Sequence, residues 1–172
     1  LTSGAITGTS WTTPALADNT TYYWRAQSTD GTASSAWMST ANFFVNTAND
    51  APTVPVISSP ADSGVVSSLT PTLAVTNASD IDGDALTYEF EVYANSNFTG
   101  LAASVTGISQ GGNGSTSWTV SPALPDNRTY YWKSRARDEH NLAGSEVSGS
   151  FFANTANDAP TVPAPNSPAS GS

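Results

Sequence analysis

Between residues 86 and 93 apolar and polar side chains alternate: Leu86, Tyr88, Phe90 and Val92 fall on one face, Thr87, Glu89, Glu91 and Tyr93 on the other. A period of two marks a half-buried β-strand, because successive side chains of an extended chain point to opposite faces. Similar β-branched or aromatic runs, separated by Gly, Pro, Asn, Asp and Ser clusters, predict further strands over residues 53–57, 71–76, 101–106, 115–120, 129–137 and 147–154. In the run 129–137, Tyr130 and Trp132 share the inward face and Tyr131 and Lys133 the outward one. No segment carries the 3.6-residue period of an amphipathic helix.

The chain repeats itself. Asn46-Thr47-Ala48-Asn49-Asp50-Ala51-Pro52-Thr53-Val54-Pro55 returns as Asn154-Thr155-Ala156-Asn157-Asp158-Ala159-Pro160-Thr161-Val162-Pro163, a displacement of 108 positions. Thr21-Tyr22-Tyr23-Trp24 returns at the same displacement as Thr129-Tyr130-Tyr131-Trp132, and Trp11 matches Trp118 at 107, which places one insertion between the copies. Residues 1–50 therefore read as the C-terminal half of a module, 51–158 as a complete one, and 159–172 as the start of a third. Head and tail together lack the counterpart of residues 65–107, so the chain reads as a window on a longer array. A repeat of this kind predicts like surroundings for Trp24 and Trp132.

Charge narrows the partners. The formal net charge is −9, with 5 Lys and Arg against 14 Asp and Glu, which excludes a nucleic-acid partner because phosphate binding needs clustered cations. Charged residues make up only 11% of the chain, so its surface is drawn from Ser, Thr, Asn and Gly. There is no cysteine, hence no disulfide, thiolate metal site or Cys nucleophile. No stretch approaches the ~20 apolar residues of a membrane span.

The run Leu124-Pro125-Asp126-Asn127-Arg128-Thr129-Tyr130 and its copy Leu16-Ala17-Asp18-Asn19-Thr20-Thr21-Tyr22 resemble the stretch entering strand F of fibronectin type III modules of bacterial surface and secreted proteins. Trp24-Arg25-Ala26, Trp132-Lys133-Ser134-Arg135-Ala136 and Ser145-Glu146-Val147-Ser148 extend the resemblance. It implies an all-β fold, seven-stranded immunoglobulin/fibronectin type III-like sandwiches in tandem, with Tyr22 and Tyr130 as tyrosine corners. Leu73 and Val75 depart from the pattern, standing where many members carry tryptophan.

Candidate chemistry centres on Asp80-Ile81-Asp82-Gly83-Asp84, in the loop between the second and third strands of the complete module. Carboxylates at alternating positions converge oxygens on a hard cation such as Ca2+. Ala85 stands where an EF-hand requires glycine, so this is no EF-hand. The order of linker Asn49-Asp50 followed by Asp80, Asp82 and Asp84 is similar to cadherin-like repeats, and that resemblance implies an interdomain Ca2+. A turn with solvated carboxylates is the competing reading.

His140 reads as a solvated loop histidine, Glu89 and Glu91 as solvated sheet carboxylates, and Gly111-Gly112-Asn113-Gly114 as a turn. Tyr23, Tyr93, Tyr131 and Trp37 are outward aromatics able to stack on sugar rings or on a neighbouring module. Sequons at Asn19, Asn77, Asn97, Asn113 and Asn127 follow from the abundance of Asn, Ser and Thr. The sequence thus predicts no enzyme but a structural repeat of an extracellular or cell-surface stalk, fibre or filament, partnered by neighbouring copies of itself. An adhesin or accessory module binding cell-surface glycans is the alternative.

Overall fold

A computed structural model describes residues 1–164; the expected opening of a third module, 159–172, lies outside the described residues from 165 onward. The described chain is all-β. Residues 1–50 contribute one antiparallel pair, β1 (Thr20–Trp24) and β2 (Ala41–Val45), with Tyr22 opposite Phe43.

Residues 51–158 build a sandwich. Its smaller sheet runs β3 (Val56–Ser59), β5 (Thr72–Thr76), β8 (Ser115–Thr119). Its larger sheet runs β4 (Gly64–Val66), β10 (Val147–Ala153), β9 (Arg128–Arg137), β6 (Thr87–Tyr93), β7 (Leu101–Ser109). This is the immunoglobulin-like arrangement with eight strands rather than the seven expected. The additional strand is β4, three residues long and parallel to β10; three residues are too few for a period to show.

The alternating faces meet in the core. Tyr88, Phe90, Val92 and Trp132 are fully buried against Leu73 and Val75 of the smaller sheet, with Tyr130, Ala136 and Phe151 completing the layer. Phe90 stacks on Trp132 at 6.3 Å. Leu73 and Val75 therefore fill the place of the missing tryptophan with aliphatic packing against that stack.

Both tyrosine corners form, with opposite polarity. The Tyr130 hydroxyl donates to the Pro125 carbonyl at 3.0 Å, whereas the Ala17 N–H donates to the Tyr22 hydroxyl at 2.8 Å. Proline has no N–H to give, so the second corner reverses the bond.

Trp24 and Trp132 do not share surroundings. Trp132 is 0% exposed and Trp24 48%. The hairpin keeps the local geometry, since Tyr22 lies 5.9 Å from Phe43 and Tyr130 5.8 Å from Phe151. What it lacks is a facing sheet, so the same indole stays open to solvent.

Candidate functional site: the module junction

The segment joining residues 1–50 to the sandwich is bonded along its length. The Asn46 amide donates to the Ile81 carbonyl (3.2 Å), Asn49 to the Asp138 carboxylate (2.7 Å), and the Asp50 N–H to Asp82 (2.7 Å). The Thr53 N–H then donates to the Ser79 carbonyl at 2.8 Å. Pro52 and Pro55 are buried, and a Cβ on Gly144 would lie 2.4 Å from the Pro52 carbonyl oxygen. The close approach of backbone to backbone at Gly144 admits no side chain.

The acidic loop supplies the other wall. Its turn is held by the Asp82 N–H donating to Asp80 at 2.8 Å, with Gly83 in the left-handed region at φ 81. Asp80, Asp82 and Asp84 bring carboxylate oxygens within 4.8 Å of one another. Carboxylates that close repel by about 1 kcal/mol per pair in water and several times that at lower permittivity. One of the Asp80 oxygens, Oδ2, is buried without a hydrogen-bond partner among the described residues. An orphaned carboxylate oxygen inside a converged acidic set fits a hard divalent cation, which offers charge and an oxygen-loving coordination shell at once.

The two linker residues take different places from the triad. Asp50 reaches the loop through its backbone N–H, while its carboxylate accepts from Asn19 at 2.7 Å. Asn49 is spent on Asp138. The structure thus gathers Asp80, Asp82 and Asp84 and sets Asn49 and Asp50 beside them.

Asp138 is the residue that sequence reasoning missed. It is buried, accepts from the Leu142 N–H (2.7 Å) with one oxygen and from Asn49 with the other. Burial pushes its carboxyl up, but the bonds from Asn49 and the backbone N–H groups of Leu142 and His140 outweigh it and leave the pKa below the ordinary value. The signal was present, because Asp30 occupies the matching place in the first copy and caps its own loop by accepting from Thr32 and Ala33 at 2.8 Å.

Of two side chains expected to be solvated, the histidine is exposed and the glutamate is not. His140 is 61% exposed but its Nδ1 lies 3.0 Å from Asp84, and that hydrogen bond raises its pKa. Glu89 accepts from Arg135 at 2.5 Å and Arg137 at 2.9 Å. Burial pushes the Glu89 carboxyl up, yet the two guanidinium groups hold it below the usual range. Cross-strand register from β6 to β9 sets Glu89 directly against Arg135, which no spacing within one strand reveals. Glu91 accepts the Tyr93 hydroxyl at 2.6 Å, which helps push that phenol up to about 12.

Of the outward aromatics, Tyr23 and Trp37 are exposed in residues 1–50, with the Arg25 guanidinium 4.4 Å over the Trp37 ring. Tyr93 and Tyr131 stand opposite each other on β6 and β9. Tyr93 also packs edge-on against Phe98.

No family model matches the chain, and no curated protein matches it. The chain is similar to the PKD domain of an M14-like peptidase from a Thermoplasmatales archaeon, at 20% identity over 62% of this chain and 99% of that one, TM-score 0.38. It is also similar to fibronectin(III)-like modules of Clostridium thermocellum CbhA, at 17% identity over 80% of this chain and 64% of that one, TM-score 0.40. At these values the fold rests on the strands themselves. Among the described residues, no helix is long and apolar enough to cross a membrane.

Proposed function

We propose that this chain is a non-catalytic segment of an extracellular repeat array, a stalk, fibre or filament at a bacterial surface, whose junctions are held at a set angle and completed by Ca2+. The reading rests on the linker: Asn46, Asn49, Asp50 and Thr53 are each bonded to the following sandwich. A joint with four separate bonds and two buried prolines transmits orientation, which is the property a stalk needs. Residues 1–50 as half a module, 51–158 as a whole one and 159–172 as the start of the next is the organisation this implies.

Asp80, Asp82 and Asp84 would hold the ion, with Asn49 and Asp50 adjacent. Bound Ca2+ supplies positive charge to three crowded carboxylates. The chain's own residues position that charge, since Asp82 grips the linker N–H and Asp80 turns the loop.

The test is thermal unfolding of the whole chain with Ca2+ and with chelator. At a free concentration of 100 times Kd, the ion adds about 2.7 kcal/mol to the stability of the folded form, and the Asp80→Asn, Asp82→Asn, Asp84→Asn variant should lose that response. An unchanged midpoint in Ca2+ and chelator removes the ion from the reading.

Glycan binding is the second reading, favoured by the paired Tyr93 and Tyr131 on one sheet face. Retention on immobilised polysaccharide that Tyr131→Ala abolishes would support it, and no retention at millimolar glycan would count against it.

A further inference from the structure

The chain carries the same hydrogen-bonded device twice, at the two places where a module ends. In the first, Asp18 accepts from the Thr47 N–H at 2.7 Å and the Ala48 N–H at 3.2 Å, while the Asn19 amide donates to Asp50 at 2.7 Å. In the second, Asp126 accepts from the Thr155 N–H at 3.0 Å and the Thr155 hydroxyl at 2.8 Å, while Asn127 donates to Asp158 at 3.0 Å. Asn19 and Asn127 are both left-handed, at φ 50 and 55. Asparagine is the side-chain-bearing residue that best accepts this conformation while keeping an amide to offer.

The settings differ in what surrounds each hairpin. The first copy sits on a bare hairpin whose linker is docked on a sandwich. The second sits on a complete sandwich, and the residues that follow it, 159–164, carry no strand. A geometry that survives both settings belongs to the Asp-Asn dipeptide and the Asn-Thr-Ala-Asn-Asp linker themselves. It does not depend on a covered core or on a following module.

From this we infer that Asp18-Asn19 and Asp126-Asn127 are positioning residues: a latch that folds the linker back on its own module and presents Asp50 and Asp158 before the next module docks. The inference rests on the junction reading above and adds its direction of assembly. Asp50 shows the outcome, because the latch holds its carboxylate while its N–H remains free for Asp82. Asp158, held by Asn127 in the same way, offers the same N–H to an acidic loop on another copy of this repeat. The Asp-Asn pair thus does for the linker what the adjoining tyrosine corner does for the strand, and both belong to one repeated run of sequence.

The second latch is tested in the intact chain by amide hydrogen exchange and 15N heteronuclear relaxation. Asp126→Ala should raise exchange at the Thr155 amide at least tenfold and loosen residues 154–158, with the amides of Tyr130 and Trp132 unchanged. Asp126→Asn, which keeps one acceptor oxygen, should restore much of the Thr155 protection. Asn127→Gly keeps the left-handed backbone and should loosen Asp158 alone. Full Thr155 protection in Asp126→Ala overturns the latch. So does ordered Asp158 in Asn127→Gly, a variant that stays folded if Asp126→Ala does not.

A separate measurement addresses the junction reading, using spin labels at Thr32→Cys and Ser96→Cys, both exposed in a chain without native cysteine. A narrow distance distribution that broadens in Asp18→Ala supports the latch as the element that sets the angle. One unchanged by Asp18→Ala overturns that role. A distribution already broad in the parent chain refutes the stiff junction, and Thr155 protection then decides the latch independently.

Discussion

Replacing Trp132 and Trp24 in turn separates what the indole contributes from what its cover contributes. The two residues occupy matching positions 108 apart, in hairpins of nearly the same ring geometry, yet one is 0% exposed and the other 48%. An aromatic of this size buries roughly 200 Å2, which at about 25 cal/mol per Å2 comes to ~5 kcal/mol for full burial. Trp132→Ala should therefore cost about 3–5 kcal/mol, including the cavity beside Phe90. Trp24→Ala, at a half-exposed site with no facing sheet, should change the stability of the sandwich by less than about 0.5 kcal/mol. Trp132→Phe offers a finer comparison. The Trp132 Nε1 is buried with no hydrogen-bond partner among the described residues, and an unpaired buried donor costs about 1–3 kcal/mol. Removing it offsets part of the lost volume, so this variant should cost well under half of what Trp132→Ala costs. The assay is urea unfolding followed by far-UV circular dichroism, which does not rely on indole fluorescence. Equal losses for Trp24→Ala and Trp132→Ala, or a Trp132→Ala loss below about 1 kcal/mol, would refute the reasoning.

Three further outcomes follow from the geometry. Glu89→Gln should weaken the sandwich by roughly 1–3 kcal/mol at neutral pH, because two half-buried arginines lose their shared anion. The Glu89 carboxyl lies below its ordinary value, so its stabilisation is complete above the unfolded Glu range of about 4.3 and fades as pH falls through the lower folded value. The variant should lack that part of the acid limb in a stability-versus-pH curve. Gly144→Ala, whose Cβ would meet the Pro52 carbonyl at 2.4 Å, should destabilise by about 1–3 kcal/mol and speed proteolysis in the linker, measured as cleavage near residue 52; unchanged cleavage would mean that the linker is not docked there. Asp138→Asn should leave the loop cap largely intact but weaken the grip on Asn49, read as faster exchange at linker amides with little change in unfolding midpoint.

Much of the sandwich was legible from one strand. The alternation of Leu86, Tyr88, Phe90 and Val92 announced a buried face because the period of a strand is a local property of the backbone, and each of these side chains is buried. The repeat was legible because it is a statement about letters. It located both tyrosine corners, although the polarity of each bond waited on whether residue 17 or 125 carried an N–H. It also contained the Asp-Asn latch in plain view, unread because its partners lie about thirty residues onward and nothing local ties them together.

The sequence alone determined the strand faces, the repeat length, the absence of thiols and the presence of a crowded acidic loop, since all four are consequences of residue type and spacing along the chain. The third dimension decided the rest. Only cross-strand register sets Glu89 against two arginines, only the meeting of loops buries Asp138 against Asn49, and only the presence or absence of a facing sheet makes one copied tryptophan a core residue and the other a surface one. Burial and pairing are relations between distant segments, and a side chain acquires them from its neighbours in space.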